Sequence, residues 1–185
     1  MALEEKTCCF TGHRPKRVPW LGESNDPRYA ALRSALWERI TESYRQGYTR
    51  FLSGMAQGVD LMAAELVLRL GETEPEVTLV PVIPYPGQAS HWRREEREQY
   101  QAVLRACGGE MVVVSPAYSK SCFYLRNRYL VDHSAKIIGV YDGNPSGGTH
   151  QTLDYARQRG LEMELLCIQE TGYPDNAAGE YKLPP

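Results

Sequence analysis

Val77–Ile83 reads VTLVPVI, and Thr78 is its only polar residue. A strand with one face in water alternates apolar and polar side chains; a strand buried on both faces does not. This run therefore belongs inside a sheet covered by helices on both sides, which is how parallel sheets are built.

On either side of it, short apolar runs alternate with helical patterns. The other strand-like runs are Thr7–Thr11, Thr49–Ser53, Glu110–Ser115, Lys136–Asp142 and Glu162–Ile168. Between them, Asp26-Pro27 offers an N-cap and a proline at the first helical position. Leu32, Leu36 and Ile40 then line one face of a helix over 27–46, which Gly47 stops. Val59, Met62, Leu66 and Leu70 mark a second helix, from Gly58 to its end at Gly71. Charged helical patterns follow over 90–107 and 122–134, and another over 149–159. This alternation predicts an α/β protein: a Rossmann-like, doubly wound, mainly parallel sheet of about six strands with helices on both faces. Residues 1–168 read as one such domain. Residues 169–185, with glycines and prolines throughout, read as a loosely ordered tail.

The chain has 185 residues, 42% hydrophobic and 24% charged, with a formal net charge of -2. That balance argues against a broad nucleic-acid-binding face, which needs clustered Lys and Arg. No run approaches the ~18 apolar residues of a membrane span, and Met1–Lys6 is too charged for a signal peptide. The five cysteines, Cys8, Cys9, Cys107, Cys122 and Cys167, include no C-x-x-C pair. They read as thiols in a reducing cytoplasm, and no metal site is expected.

In a doubly wound sheet, ligands bind beyond the carboxyl ends of the strands. Four strand exits carry suitable chemistry. The first is Thr11-Gly12-His13-Arg14, where glycine gives access and Arg14 can pair with a phosphate or carboxylate. The second is SGMAQGVD, Ser53 to Asp60: a strand end, a glycine-bracketed turn and a helix start, with Ser53, Gly54, Met55 and Gly58 as candidate ligand contacts. The third follows Ser115, where Tyr118 is a candidate for stacking on a base, as is Trp92 after the preceding strand. The fourth is Asp142, then Gly147-Gly148-Thr149, whose glycines expose backbone amides while Thr149 caps the helix or bonds a phosphate oxygen. Arg126 or Asn127, on the helix before this strand, can line the same edge. Arg126 and Arg128 sit two apart on that helix, so both are not expected to face one way. No confident acid/base pair emerges; Asp60 and Asp154 are the catalytic candidates by position. The first turn fits neither the dinucleotide G-x-G-x-x-G fingerprint nor a P-loop.

CCFTGHRP, SGMAQGVD, RNRYLVD and VYDG…GGTHQTLDYA, in this order, resemble the YpsA-like branch of the SLOG superfamily, the SMF/DprA–LOG group. The resemblance runs from about Thr7 to Ile168. It implies a Rossmann-like fold in a bacterial cytoplasmic protein and a nucleotide-related ligand, a nucleoside phosphate or NAD-derived ADP-ribose. It leaves three functions open. The first is a nucleotide-binding sensor or regulator, a small-molecule binder with homo-oligomerisation undecided. The second is a phosphoribohydrolase like the LOG enzymes, which release a base from a nucleoside monophosphate. The third is a single-stranded DNA-binding module like DprA. The LOG signature P-G-G-x-G-T is followed closely by a catalytic glutamate. Ser146 to Asp154 here lacks the extra glycine of that signature and no glutamate follows, which leaves Asp154 or Asp60 as its substitute.

Overall fold

The structure is a computed structural model and describes residues 6–168. The tail expected over 169–185 lies outside the described residues. Six parallel strands and five α-helices alternate along the described chain. They are β1 (Thr7–Gly12), α1 (Pro27–Arg45), β2 (Arg50–Ser53), α2 (Val59–Gly71), β3 (Thr78–Ile83), α3 (Arg94–Cys107), β4 (Val112–Val113), α4 (Cys122–Asp132), β5 (Lys136–Tyr141), α5 (Gly147–Gln158) and β6 (Glu162–Cys167). A single 3-10 turn, Pro19–Gly22, precedes α1.

The strands lie in the order β4-β3-β2-β1-β5-β6. The chain winds outward from β1 to β4, then crosses back to place β5 on the other side of β1. The order therefore reverses between β1 and β5, which pair from Cys8↔Lys136 to Gly12↔Val140. A crevice opens at such a reversal because the connections leave the two strands in opposite directions.

The continuous apolar runs are what two covered faces require. Phe10, Phe51, Leu79, Ile83, Ile138 and Val140 pack beneath α1, α2 and α3. Their neighbours in sequence, including Cys9, Leu52, Val80, Val82, Ile137 and Tyr141, pack beneath α4 and α5. The inner strands β1, β2, β3 and β5 thus alternate between two cores and not between core and water. Gly139 lets α5 approach: a Cβ there would sit 2.7 Å from Leu153 Cδ2.

Several element boundaries differ from the sequence reading. The strand expected over 110–115 pairs regularly only at Val112 and Val113, because it forms the sheet edge and has a partner on one side alone. The third helix begins at Arg94 and not Ser90, fixed by Glu96 Oε2, which accepts from the Arg93 amide at 3.0 Å. The fifth helix begins at Gly147, two residues earlier than expected, so the paired glycines form its first turn. Among the described residues, no helix is long and apolar enough to cross a membrane.

Candidate functional site

The β1–β5 crevice opens into a cavity of about 720 Å³. Its walls are the β1 exit, the inward face of α4 and α5 from its first turn to its last. Thr11, Gly12, His13, Arg14, Asp60, Arg126, Asn127, Gly147, Gly148, Thr149 and Asp154 all line it, so residues from four separate parts of the chain meet here.

The first turn of α5 is the most open part. The first N–H groups of any helix lack intrahelical acceptors. Ser146, at the N-cap, does not supply one: its Oγ instead donates to Asn144 Oδ1 at 2.7 Å. Among the described residues, no acceptor outside the helix meets the amides of Gly147, Gly148 and Thr149. Gly148 leaves open space, since a Cβ there would come no closer than 3.9 Å to Asn127 Nδ2. The helix dipole adds positive potential at this end.

Arg14 enters from the β1 exit. Its guanidinium lies over the Phe123 ring, 5.1 Å from the centroid, and among the described residues it has no ion-pair partner. Arg126 forms part of the cavity floor. It is buried, its Nη1 donates to the Gly54 carbonyl and to Asp60 Oδ2 at 3.1 Å, and its Nε–H is buried without a partner. Burial pushes the Asp60 carboxyl up from its ordinary range, while the Arg126 and Arg14 charges and the Ala56 amide pull it back. The Arg126 guanidinium keeps its proton and lies against this carboxyl across the 3.1 Å contact. Five Lys and Arg residues face two Asp in the cavity wall. The chain as a whole is slightly acidic, so the positive charge is concentrated here.

The β1 exit is strapped to the end of β5. Arg17 donates to Asp142 Oδ2 through Nε at 2.9 Å and Nη2 at 2.7 Å. His13 Nε2 lies 3.1 Å from Asp142 Oδ1 and accepts from the Asp142 amide at the same distance. Burial lowers the His13 pKa, and the attraction of Asp142 only partly offsets this, so the ring is neutral near pH 7 and its Nε2 lone pair is free to accept. Burial also acts to raise Asp142, but the Asn144 amide and Arg17 outweigh it and hold that carboxylate low. Asp142 is therefore consumed by the strap and does not line the cavity.

The SGMAQGVD turn lies behind the cavity floor. Ser53 Oγ accepts from the Met55 amide at 3.1 Å and donates to the Asp60 carbonyl at 2.8 Å, both buried. Met55 is buried at φ +53. At Gly54 a Cβ would fall 1.6 Å from Arg126 Nη1, and at Gly58, φ +86, it would fall 2.6 Å from the His13 carbonyl. Neither glycine opens toward a ligand; both make room for other parts of this protein. Ser53, Gly54, Met55 and Gly58 support the site without lining it.

The two aromatic candidates lie elsewhere. Trp92 packs edge-on to Tyr100 at 5.3 Å, against the core on the α1–α3 face. Tyr118 is 64% exposed and meets Tyr85 edge-on outside the cavity wall. The aromatic wall is made instead by Phe123, Tyr124 and Tyr155, with Arg128 between the two tyrosines. Arg126 and Arg128 both line the cavity, contrary to the helical expectation. Arg126 reaches inward to the floor, while the long Arg128 side chain sweeps around α4 toward Tyr155. The signal for this wall is the i, i+4 pair Tyr124–Arg128, with Tyr155 on the facing helix; the facing part is invisible before the helices are docked. Among the described residues, no group of three or more His, Cys, Asp or Glu is placed to hold a metal ion.

Sheet order and cavity together define a Rossmann-like α/β protein whose crevice carries clustered positive charge. The chain belongs to the YspA SLOG family, whose model matches residues 8–171. A UPF0398 protein of Halalkalibacterium halodurans is 29% identical over 155 residues, covering 83% of this chain and 82% of its own length. A UPF0398 protein of Bacillus cereus strain G9842 is 24% identical over 156 residues, 84% of each chain. In fold, the chain is similar to DNA processing protein A (DprA) of Streptococcus pneumoniae, with a TM-score of 0.57 and 15% identity over 88% of this chain. This chain matches half the length of that protein.

Proposed function

We propose that this protein binds a phosphate-bearing, nucleotide-like metabolite in the β1–β5 crevice and serves as a cytoplasmic sensor or regulator. One observation carries the reading: the uncapped first turn of α5 opens into the same cavity as Arg14, which has no acidic partner. The phosphate sits on the amides of Gly147–Thr149, and Arg14 closes over it with a charge-assisted bond. Arg126, buried in the floor, adds positive potential beneath the ligand. A nucleoside monophosphate panel titrated by calorimetry tests this. Arg14→Ala should weaken binding by at least about tenfold, the lower end of the ~1.5–3 kcal/mol expected of a hydrogen bond to a charged group. Unchanged affinity in that variant refutes the role of Arg14 and of the crevice.

Hydrolysis of the N-glycosidic bond is the second reading, favoured by the presence of Asp60 and Asp154 in the cavity wall. Asp60 is tied to Arg126, whereas Asp154 is half-exposed, accepts from Gln158 Nε2 at 2.8 Å and lies 3.7 Å from Arg157 Nη2. Incubation with nucleoside monophosphates, with free base followed by chromatography, separates a binder from an enzyme. Base release lost in Asp60→Asn or Asp154→Asn would establish the enzyme.

A further inference from the structure

The cavity continues beyond the phosphate end of α5 to Tyr155, seven residues past Gly148, or about 10 Å along the helix. There Arg128 is held in a fixed position. Its guanidinium carbon lies 3.9 Å from the Tyr155 ring centroid. Its Nη1 donates to Tyr124 Oη at 2.9 Å and its Nη2 to Tyr155 Oη at 2.7 Å. Tyr155 is locked in turn, because its hydroxyl donates to Asp132 Oδ1 at 2.6 Å. A guanidinium has five N–H donors and no acceptor. The two tyrosines use two of them, and among the described residues no carboxylate lies within ion-pair distance of Arg128. Three donors on an immobilised, planar group therefore remain, beside a Tyr124 ring that is 52% exposed.

We propose that Arg128 reads the base of the bound nucleotide and makes the site prefer guanine. This rests on the phosphate-binding reading above, which places the phosphate at Gly148 and directs the sugar and base along α5. A donor-only group selects a base edge that presents acceptors. Guanine presents two adjacent acceptors, N7 and O6, where adenine presents N7 and the N6 amino donor. Against adenine, one donor of Arg128 faces the N6 amino donor and loses the acceptor that guanine offers it. Tyr124 supplies the stacking surface for the same base.

The test is calorimetric titration of the full chain with GMP, AMP and ribose 5-phosphate. GMP should bind at least about fivefold more tightly than AMP, the lower end of the ~1–3 kcal/mol that a bidentate Arg–guanine contact discriminates. Arg128→Ala should bring GMP to the affinity of AMP and leave ribose 5-phosphate unchanged. Arg128→Lys keeps the charge but loses the planar fork, and should lose the preference too. A melting curve on each variant separates lost recognition from lost folding; if both unfold, the wild-type GMP/AMP ratio alone decides. Equal GMP and AMP affinities in the wild type, or an unchanged ratio in folded variants, overturn the assignment of Arg128 while the phosphate site stands. If none of the three ligands binds, the phosphate-site reading falls and this inference falls with it.

Discussion

Two turns in this protein look alike in sequence and differ in use. SGMAQGVD between β2 and α2, and DGNPSGGT between β5 and α5, are both strand ends that pass through glycines into a helix. In the first, every allowance made by glycine is filled from within. Arg126 occupies the space at Gly54, the His13 carbonyl occupies it at Gly58, and the Asp60 carboxylate accepts from the Ala56 amide at 3.4 Å. In the second, Gly147 and Gly148 meet nothing closer than the Asn127 amide, and the first turn of α5 faces a cavity. A glycine at a strand end declares that something comes close to the backbone. Whether that is a neighbouring side chain or a ligand depends on what the rest of the chain brings there.

The contrast breaks most visibly at the filled turn. Gly54→Ala places a methyl on the Arg126 guanidinium, and Arg126→Ala strands the buried Asp60 charge. Either should cost ~3–5 kcal/mol in chemical denaturation, the penalty for removing one partner of a buried ion pair. Replacing both members, as in Arg126→Leu with Asp60→Leu, should recover most of that loss, and no recovery would mean that the pair is not an isolated unit. Gly58→Ala combines a positive φ with a clash against backbone and should cost about 1–3 kcal/mol. At the open turn the same chemistry should behave in reverse. Gly148→Ala should change stability by no more than about 0.5 kcal/mol, because the methyl enters empty space, yet it should weaken nucleotide binding by crowding the amides. A large stability loss there would show that the second turn is also filled from within.

The smallest effect concerns the strap between the turns. An unfolded histidine takes up its proton near pH 6.5, whereas burial delays this in His13 to a lower pH. Between those two values the unfolded state binds more protons, so stability falls as the pH falls. Wild type should lose more stability than His13→Gln on going from pH 7 to pH 5, measured by urea midpoints. Equal losses would place the His13 ring in a more solvated setting.

Much of the fold was legible because its signal is local. A strand buried on both faces must be apolar at every position, as in VTLVPVI, and the Asp26-Pro27 cap announces α1 wherever the helix later packs; Asp26 Oδ1 does accept from the Arg28 amide at 2.8 Å. The edge strand was overestimated because EMVVVS has strand composition, while pairing depends on a neighbour it has on one side only. At the site, the residues at strand exits were recognisable because all parallel strands deliver their carboxyl ends to one edge. Arg128, Tyr124 and Tyr155 were not, since their meeting depends on how α4 lies against α5.

The order of side-chain types along the chain was enough to specify six parallel strands between two helical layers, and hence the edge at which a ligand would lie. Periodicity and glycine placement encode those features within a few residues of each other. Which glycines are stoppered by protein and which stay open, and which of two arginines on α4 reaches the floor or the wall, came only from packing. Those contacts join residues distant in the chain, 27 positions for Arg128 with Tyr155 and 66 for Arg126 with Asp60, and no local pattern carries that information.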